Sequence, residues 1–196
     1  MLQMNILESN EFEKEDFNDL NLSKLDLSGK EFFGCRFINC TFNESVLIDI
    51  RFECCTFDAC NLSNPTLGAT RFVDSEFVKS KLLGLNFYKC NQLSFDASFN
   101  ECLIRSCNFS DLSIKNAKFI RCEIVESFFQ NTYLVGADFS ESSFRDTLFH
   151  NSDLRRASFY DSTGYSIDPN TNKIEKAIFS VPDVLSLLAG FKIVIK

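Results

Sequence analysis

Residues 32–42 read Phe-Phe-Gly-Cys-Arg-Phe-Ile-Asn-Cys-Thr-Phe, with phenylalanine at 32, 37 and 42 and cysteine at 35 and 40. The same spacing extends in both directions, because sixteen consecutive fifth positions from Phe12 to Phe87 are all Phe or Leu. A second tract from Phe99 to Phe159 gives thirteen more, all Phe, Leu or Ile. Neither helical periodicity nor strict alternation fits this pattern, which indicates a repeat with a period of five.

The position two residues before each central residue is also restricted. It is usually small or apolar, as at Cys35, Cys55, Ser75, Ala117 and Ala137. The other three residues of each repeat are mostly charged or polar, which is typical of a solvated surface. We therefore expect two of every five side chains to point inward.

A period of twenty residues is superimposed on the period of five. Phe12, Phe32, Phe52 and Phe72 form one series that is entirely phenylalanine. Four pentapeptides per turn would stack like residues on like, at an inter-strand spacing of about 4.8 Å. The pattern predicts an all-β solenoid with a four-sided cross-section, about seven coils and a length of about 35 Å.

The five-residue frame breaks once, at residues 88–98. Phe87 and Phe99 are twelve residues apart, which is two pentapeptides plus two residues. We expect a small bulge or kink near residues 90–96 to absorb the excess and to shift the later faces by part of a turn.

Composition and charge disfavour several classes of function. A formal charge of −7 and a pI near 4.8 argue against direct binding to nucleic-acid phosphates or anionic lipid. The chain has no apolar run long enough to span a bilayer and no signal-like N-terminus, so we expect a cytoplasmic protein. It contains no nucleotide-binding or zinc-protease motif, and His150 has no triad partner placed by motif, so the sequence predicts no enzyme and no cofactor.

Four of the cysteines could be interpreted as a zinc site or as disulfide partners. Cys35, Cys40, Cys55 and Cys60 have a spacing that could be mistaken for a four-thiolate zinc site, and stacked pairs meet the distance condition for disulfides. All four stand two residues before a central residue, where Ser, Ala and Thr stand elsewhere. We therefore interpret them as small buried thiols.

The repeats are predicted to end at Asp161, dividing the chain into a β-helix at 1–161 and a C-terminal segment at 162–196. A turn-rich connector leads to Ser180-Val-Pro-Asp183, which predicts a helix N-cap with proline in the first turn. Gly190 predicts the end of that helix, and an apolar strand from Phe191 to Ile195 is expected to close the chain.

Such a helix and strand would cap one end of the solenoid, and part of their apolar surface would remain exposed. We expect a two-fold homodimer through this end. The residues predicted to form the dimer contact are Val184, Leu185, Leu187, Leu188 and Phe191.

Stretches such as 32–42 and Gly136-Ala-Asp-Phe-Ser140 resemble the pentapeptide-repeat family, and the resemblance covers about residues 10–161. It implies a right-handed quadrilateral β-helix. The tail, from Gly164 through Leu187-Leu188 to Ile195, resembles that of the Qnr-type quinolone-resistance and microcin-immunity branch. Members of that branch dimerise through their C-termini and protect DNA gyrase or topoisomerase IV, and their acidic rods are thought to mimic duplex DNA. The resemblance implies the same partner and action here.

Acidic residues near the C-terminal end are the candidate partner contacts, predicted on two faces that Arg105, Arg121 and Arg145 interrupt. They are Glu101, Glu123, Glu126, Glu141, Asp146 and Asp161. A charged surface also keeps any solenoid soluble. Two functions therefore remain open: a non-enzymatic DNA mimic that protects a type II topoisomerase, and a general protein-interaction scaffold with an unknown partner.

Overall fold

The chain winds into a right-handed, four-sided parallel β-helix of about eight turns. The computed structural model describes residues 6–191 and 193–194. We number the faces in chain order: face I contains Phe12, face II Phe17, face III Leu22 and face IV Leu27. Each coil passes through all four faces, so face I lies opposite face III and face II lies opposite face IV.

Faces I and II carry ten of the strands in two parallel sheets. Face I has a four-stranded sheet, Glu11–Glu13, Glu31–Phe33, Arg51–Glu53 and Arg71–Val73. Face II has a six-stranded sheet, Asp16–Asn18, Arg36–Ile38, Thr56–Asp58, Ser75–Val78, Ala97–Asn100 and Phe119–Ile120.

Faces III and IV are also built from parallel strands. Face III has a five-stranded sheet, Asn61–Ser63, Lys81–Leu83, Leu103–Arg105, Glu123–Val125 and Ser143–Arg145. Face IV has two strand pairs, Val46–Ile48 with Thr66–Gly68 and Phe128–Gln130 with Leu148–His150. Isolated parallel bridges, such as Tyr133 to Asp153 on face I, continue the ladders between and beyond the strands.

The core consists of the central residues, stacked coil upon coil. Phe109 and Phe129 are one example, with ring centroids 4.9 Å apart and nearly parallel planes. Rings on adjacent faces meet edge to face, as Phe119 and Phe129 do at 5.7 Å. Both geometries are favourable for aromatic pairs, and they confirm the predicted inward frame.

The corners explain why a period of five closes into a square. Within residues 12–161, the second residue after each central residue has a positive φ, with Lys89 as the exception at the frame break. This left-handed residue turns the chain from one face to the next. At Gly164, where φ is +71°, a Cβ would clash with the carbonyl oxygen of Phe144, so glycine is required there.

The frame break does not shift the later faces, contrary to our expectation. Two short 3-10 helices, Phe87–Lys89 and Gln92–Ser94, take up the two extra residues. Phe95 enters the core in place of the exposed Gln92. Phe99 therefore pairs with Phe77 on face II, and each column continues in register.

The winding continues beyond Asp161, the predicted end of the repeats. Bridges join Ser143 to Thr163 and Asp153 to Lys173. A final strand pair joins Ser158–Phe159 to Ile178–Phe179. The segment predicted as a connector thus forms one more coil.

The predicted C-terminal helix is a 3-10 helix at Asp183–Phe191. The Oγ of Ser180, the predicted N-cap, accepts a hydrogen bond of 2.9 Å from the Asp161 N–H of the preceding coil, while the Ser180 carbonyl accepts from the Val184 N–H at 3.0 Å. Of the predicted closing strand, Phe191 belongs to this helix and residues 193–194 are not in a strand. Residues 192 and 195 lie outside the described residues. No helix among the described residues is long and apolar enough to cross a membrane.

Candidate functional site

The six acids predicted as partner contacts surround a single face, not two. Glu101, Glu141 and Asp161 lie at the corner between faces II and III, and Glu126 and Asp146 lie at the corner between faces III and IV. Glu123 lies between these two corners, on a strand of face III. All six are exposed. We call this group the acidic face.

The corner backbone holds these acids in fixed positions. The N–H of Glu101 donates to the carbonyl of Ile120, and that of Glu141 donates to Tyr160, both at 2.9 Å. Glu126 donates in the same way to Arg145 at 2.8 Å, and the N–H of Asp161 donates to the Ser180 hydroxyl at 2.9 Å. Because these corners are bonded to the next coil, their side chains project outward about 4.8 Å apart from one coil to the next.

Three arginines interrupt the acidic face. Arg121 lies between Glu101 and Glu141 in the corner column, with an Nη 3.5 Å from a carboxylate oxygen of Glu101. Arg105 and Arg145 stand in register on either side of Val125, which is 1% exposed although it lies on the outer surface. Their aliphatic stems can shield this valine from water.

Most of the carboxylates on the acidic face remain unneutralised. Glu126 accepts a hydrogen bond of 3.1 Å from the Ser106 hydroxyl. In the described part of the chain, four of the six make no ion pair and no side-chain hydrogen bond: Glu123, Glu141, Asp146 and Asp161. These groups could therefore interact with cations on another molecule.

The five residues predicted for the dimer contact do not share one environment. Leu187 is buried and belongs to the core cluster, and Val184 packs against that cluster. Leu185 and Phe191 are exposed, and Leu188 is half-buried. The first pair holds the 3-10 helix on the last coil, and the other three side chains remain exposed or partly exposed.

More apolar side chains extend this C-terminal end surface. Val181 is 81% exposed and Val194 is 83% exposed, and Ile178 and Ile193 are also exposed. Such exposed apolar side chains at one end of a rod are a feature of contact surfaces.

Cys35, Cys40, Cys55 and Cys60 occupy small inward positions, as predicted. Eight of the nine cysteines are buried, and Cys54 is exposed at a corner. Cys35 and Cys40 precede central residues of different faces, so their thiols do not converge with those of the next coil on one point. Among the described residues, no group of three or more His, Cys, Asp or Glu side chains could hold a metal ion. His150 is exposed at the end of a face IV strand.

A group of basic residues that was not predicted from the sequence lies on the C-terminal half of face I, opposite the acidic face. A groove of about 480 Å³ there is lined by Lys115, Tyr133, Val135, Arg155, Arg156, Glu175 and Lys176. We call it the basic groove. Residues 99–196 contain 12 acids and 11 bases, so their overall charge balance does not reveal the groove. Assigning each charge to its position in the twenty-residue period would separate the acidic face from the basic groove.

Comparisons with known proteins agree with this architecture. A model described as a pentapeptide repeat region matches residues 50–129, and one described as pentapeptide repeats (8 copies) matches residues 122–161. None of the curated protein sequences matches the chain.

Several solved structures have a similar fold. A trypsin-treated variant of QnrB1, a plasmid-mediated fluoroquinolone resistance protein, is 18% identical with a TM-score of 0.63, over 95% of this chain and 90% of that one. Full-length QnrB1 is 17% identical with a TM-score of 0.57, over 93% and 90%.

HetL from the cyanobacterium Nostoc sp. is a pentapeptide repeat protein involved in heterocyst differentiation regulation. It is 14% identical with a TM-score of 0.51, over 91% of this chain and 78% of that one. At these identities the likeness concerns the fold. The family models and the five-residue winding together show that this chain, a rod-shaped repeat scaffold, belongs to the pentapeptide-repeat family.

Proposed function

We propose that the protein binds a type II topoisomerase, DNA gyrase or topoisomerase IV, through its acidic face, and protects the enzyme from quinolones or a peptide toxin. The acidic face takes the place of duplex DNA on the enzyme's basic surface. The observation that carries the proposal is the alignment of unneutralised carboxylates along both corners of face III. The proposal assigns no catalytic step to this chain, and places it in the cytoplasm with its partner.

The charge of the acidic face has the same sign as that of duplex DNA, and its carboxylates taken alone approach the charge density of DNA. Double-stranded DNA carries one negative charge per about 1.7 Å of axis. The corner column from Glu101 to Asp161 spans three coil steps, or about 14 Å, so six carboxylates give about one charge per 2.4 Å. The three arginines reduce this net density by half, so they weaken the mimicry.

A homodimer through the C-terminal end would double the length of the acidic object. Eight coils at about 4.8 Å give a rod of about 38 Å, so two rods end to end reach about 75 Å. The exposed Leu185, Leu188 and Phe191 are the proposed contacts. A two-fold partner that grips a continuous duplex would match a two-fold rod of this kind.

The proposal is tested by a DNA supercoiling assay with purified gyrase, with and without a quinolone or a microcin. We expect the wild-type protein to rescue or inhibit activity, and the double variant Glu141→Lys, Asp146→Lys to lose the effect. The matched control is Asp19→Lys, Glu44→Lys, which changes the same two kinds of corner in the N-terminal half. Activity unaffected by wild-type protein would favour the general scaffold, and equal loss in both doubles would exclude the acidic face as the contact.

The proposed dimer has a separate test. Leu185→Asp with Phe191→Asp should give a folded monomer, whereas Leu187→Asp should detach the 3-10 helix because Leu187 is buried. Leu93→Asp is the control, since Leu93 is fully exposed far from this end. Light scattering that gives a 22.4 kDa particle for the unmodified chain would exclude the dimer.

A further inference from the structure

The basic groove carries positive charge that the chain itself does not neutralise. Arg155 is engaged by Asp153, whose carboxylate accepts from its Nε at 2.8 Å and from an Nη at 2.6 Å. In the described part of the chain, no ion pair involves Lys115, Arg156 or Lys176. Glu175 is the acid that lines this groove, so an excess of positive charge remains.

The geometry gives this charge a defined extent. Arg156 and Lys176 are corner residues on consecutive coils, both with positive φ. Lys115 stands two coils before Arg155 in the neighbouring column. The cations therefore span three coil steps, or about 14 Å, which an extended strand of about four residues would cover.

An apolar strip lies among these cations. Tyr133 is 39% exposed and Val135 is half-buried, and both line the groove. A ligand that follows the cations would therefore also contact an aromatic ring and a branched aliphatic side chain. This combination of cations around an apolar strip fits a ligand in which carboxylates flank an apolar side chain.

The other half of face I limits the length of the ligand. Its groove of about 460 Å³ is lined by acids: Glu11, Glu13, Glu31 and Glu53, with Arg51 among them. A long polyanion lying along face I would meet these carboxylates after leaving the cations. Together with the net charge of −7, this disfavours nucleic acid and favours a short, locally acidic segment.

We propose that the basic groove is a second interaction site, which binds an acidic segment of a partner protein: about four extended residues with two or more carboxylates around an apolar side chain. It lies on the opposite face from the acidic face, so it is independent of topoisomerase binding. The rod would join two protein surfaces of opposite charge, one on face I and one on face III.

The test is fluorescence anisotropy with a fluorescein-labelled peptide of alternating glutamate and leucine. Wild-type protein should bind it saturably, and Arg156→Glu with Lys176→Glu should weaken binding by about ten-fold or more. The control, Lys79→Glu with Lys81→Glu, makes the same change in net charge at exposed positions elsewhere and should bind like wild type. If the reversals unfold the rod in thermal melts, Arg156→Gln with Lys176→Gln replaces them.

Three outcomes would overturn the proposal. The first is the absence of saturable binding by the wild-type protein. The second is an equal loss of affinity in the control double variant, which would reveal a general charge effect. The third is tighter binding of a short DNA duplex than of the peptide, which would make the site a nucleic-acid site. None of these results depends on gyrase.

Discussion

The thiol of Cys55 donates a hydrogen bond of 3.3 Å to the carbonyl oxygen of Phe32, the central residue of the preceding coil. The two residues are 23 positions apart, and the same offset recurs along the rod. Ser75 donates in this way to Phe52 at 3.1 Å, and Thr147 donates to Ile124 at 3.1 Å. The small inward position is therefore a place for a short donor that ties each coil to the one before.

This relationship predicts which cysteine replacements are tolerated. Cys55→Ser keeps a donor of nearly the same size, so we expect a loss of stability below about 1 kcal/mol. Cys55→Ala removes the donor and should cost somewhat more, within about 1.5 kcal/mol. Urea unfolding of both variants measures the difference, and a loss comparable with that of a core phenylalanine would contradict the assigned role.

Replacement of a stacked phenylalanine should be far more damaging. Phe119 stacks on Phe99 at 4.8 Å and on Phe139 at 4.9 Å, and it is fully buried. Phe119→Ala removes both contacts and leaves a cavity, so we expect a loss of about 3–5 kcal/mol. The exposed Lys115→Ala is the control, and equal shifts in the two unfolding midpoints would contradict the five-residue frame.

The repeats were predictable because the pattern that defines them, an apolar residue at every fifth position, is visible in the sequence itself. Recognising it requires no knowledge of which distant residues are in contact. The last coil was missed because its central positions are irregular in the five-residue frame. The twenty-residue period does indicate this coil, because Ile174 lies twenty residues after Leu154 and Phe179 lies twenty residues after Phe159. A turn of Asp168 to Asn172, in which Asn172 donates to the Phe149 carbonyl at 3.1 Å, completes that coil.

The candidate sites were predictable to a smaller degree. The six acids were identified from sequence, but their grouping around one face depends on which corner each occupies. For the C-terminal helix, a run of apolar residues did not reveal that Leu187 faces the core while Leu185 faces solvent. That distinction depends on how the helix is placed on the last coil, which sequence spacing does not specify.

Gly29 and Gly164 have the same φ of +71°. Replacing each with alanine therefore distinguishes the energetic cost of backbone strain from the cost of a steric clash. Gly29→Ala meets no atom within 4 Å, so we expect a cost of about 1–2 kcal/mol from the left-handed backbone alone. Gly164→Ala adds a clash with the Phe144 carbonyl and should cost clearly more. Equal costs, measured by thermal unfolding, would show that the last coil moves to accommodate the methyl group.

Alkaline pH should destabilise the rod through two of its buried thiols, Cys90 and Cys107. Burial raises the pKa of Cys90 and of Cys107 from 9.0 to about 12. Below pH 9 both states hold these protons, whereas between about pH 9 and pH 12 the unfolded state releases them first, so stability falls as pH rises. Thermal unfolding across that window should show the decline, and Cys107→Ser should make it shallower. An unchanged slope in that variant would exclude Cys107 as a contributor.

Removal of an arginine from the acidic face should strengthen topoisomerase binding if charge mimicry drives it. Arg121 stands between Glu101 and Glu141 and pairs with Glu101, so Arg121→Gln frees that carboxylate and raises the local negative charge. We expect tighter binding and a steeper fall of affinity with salt, because more charge is then screened. Arg36→Gln is the control: it changes the net charge equally at an exposed face II position in the N-terminal half. Binding isotherms at two salt concentrations measure both effects, and weaker binding by the Arg121 variant would mean that this arginine itself contacts the partner.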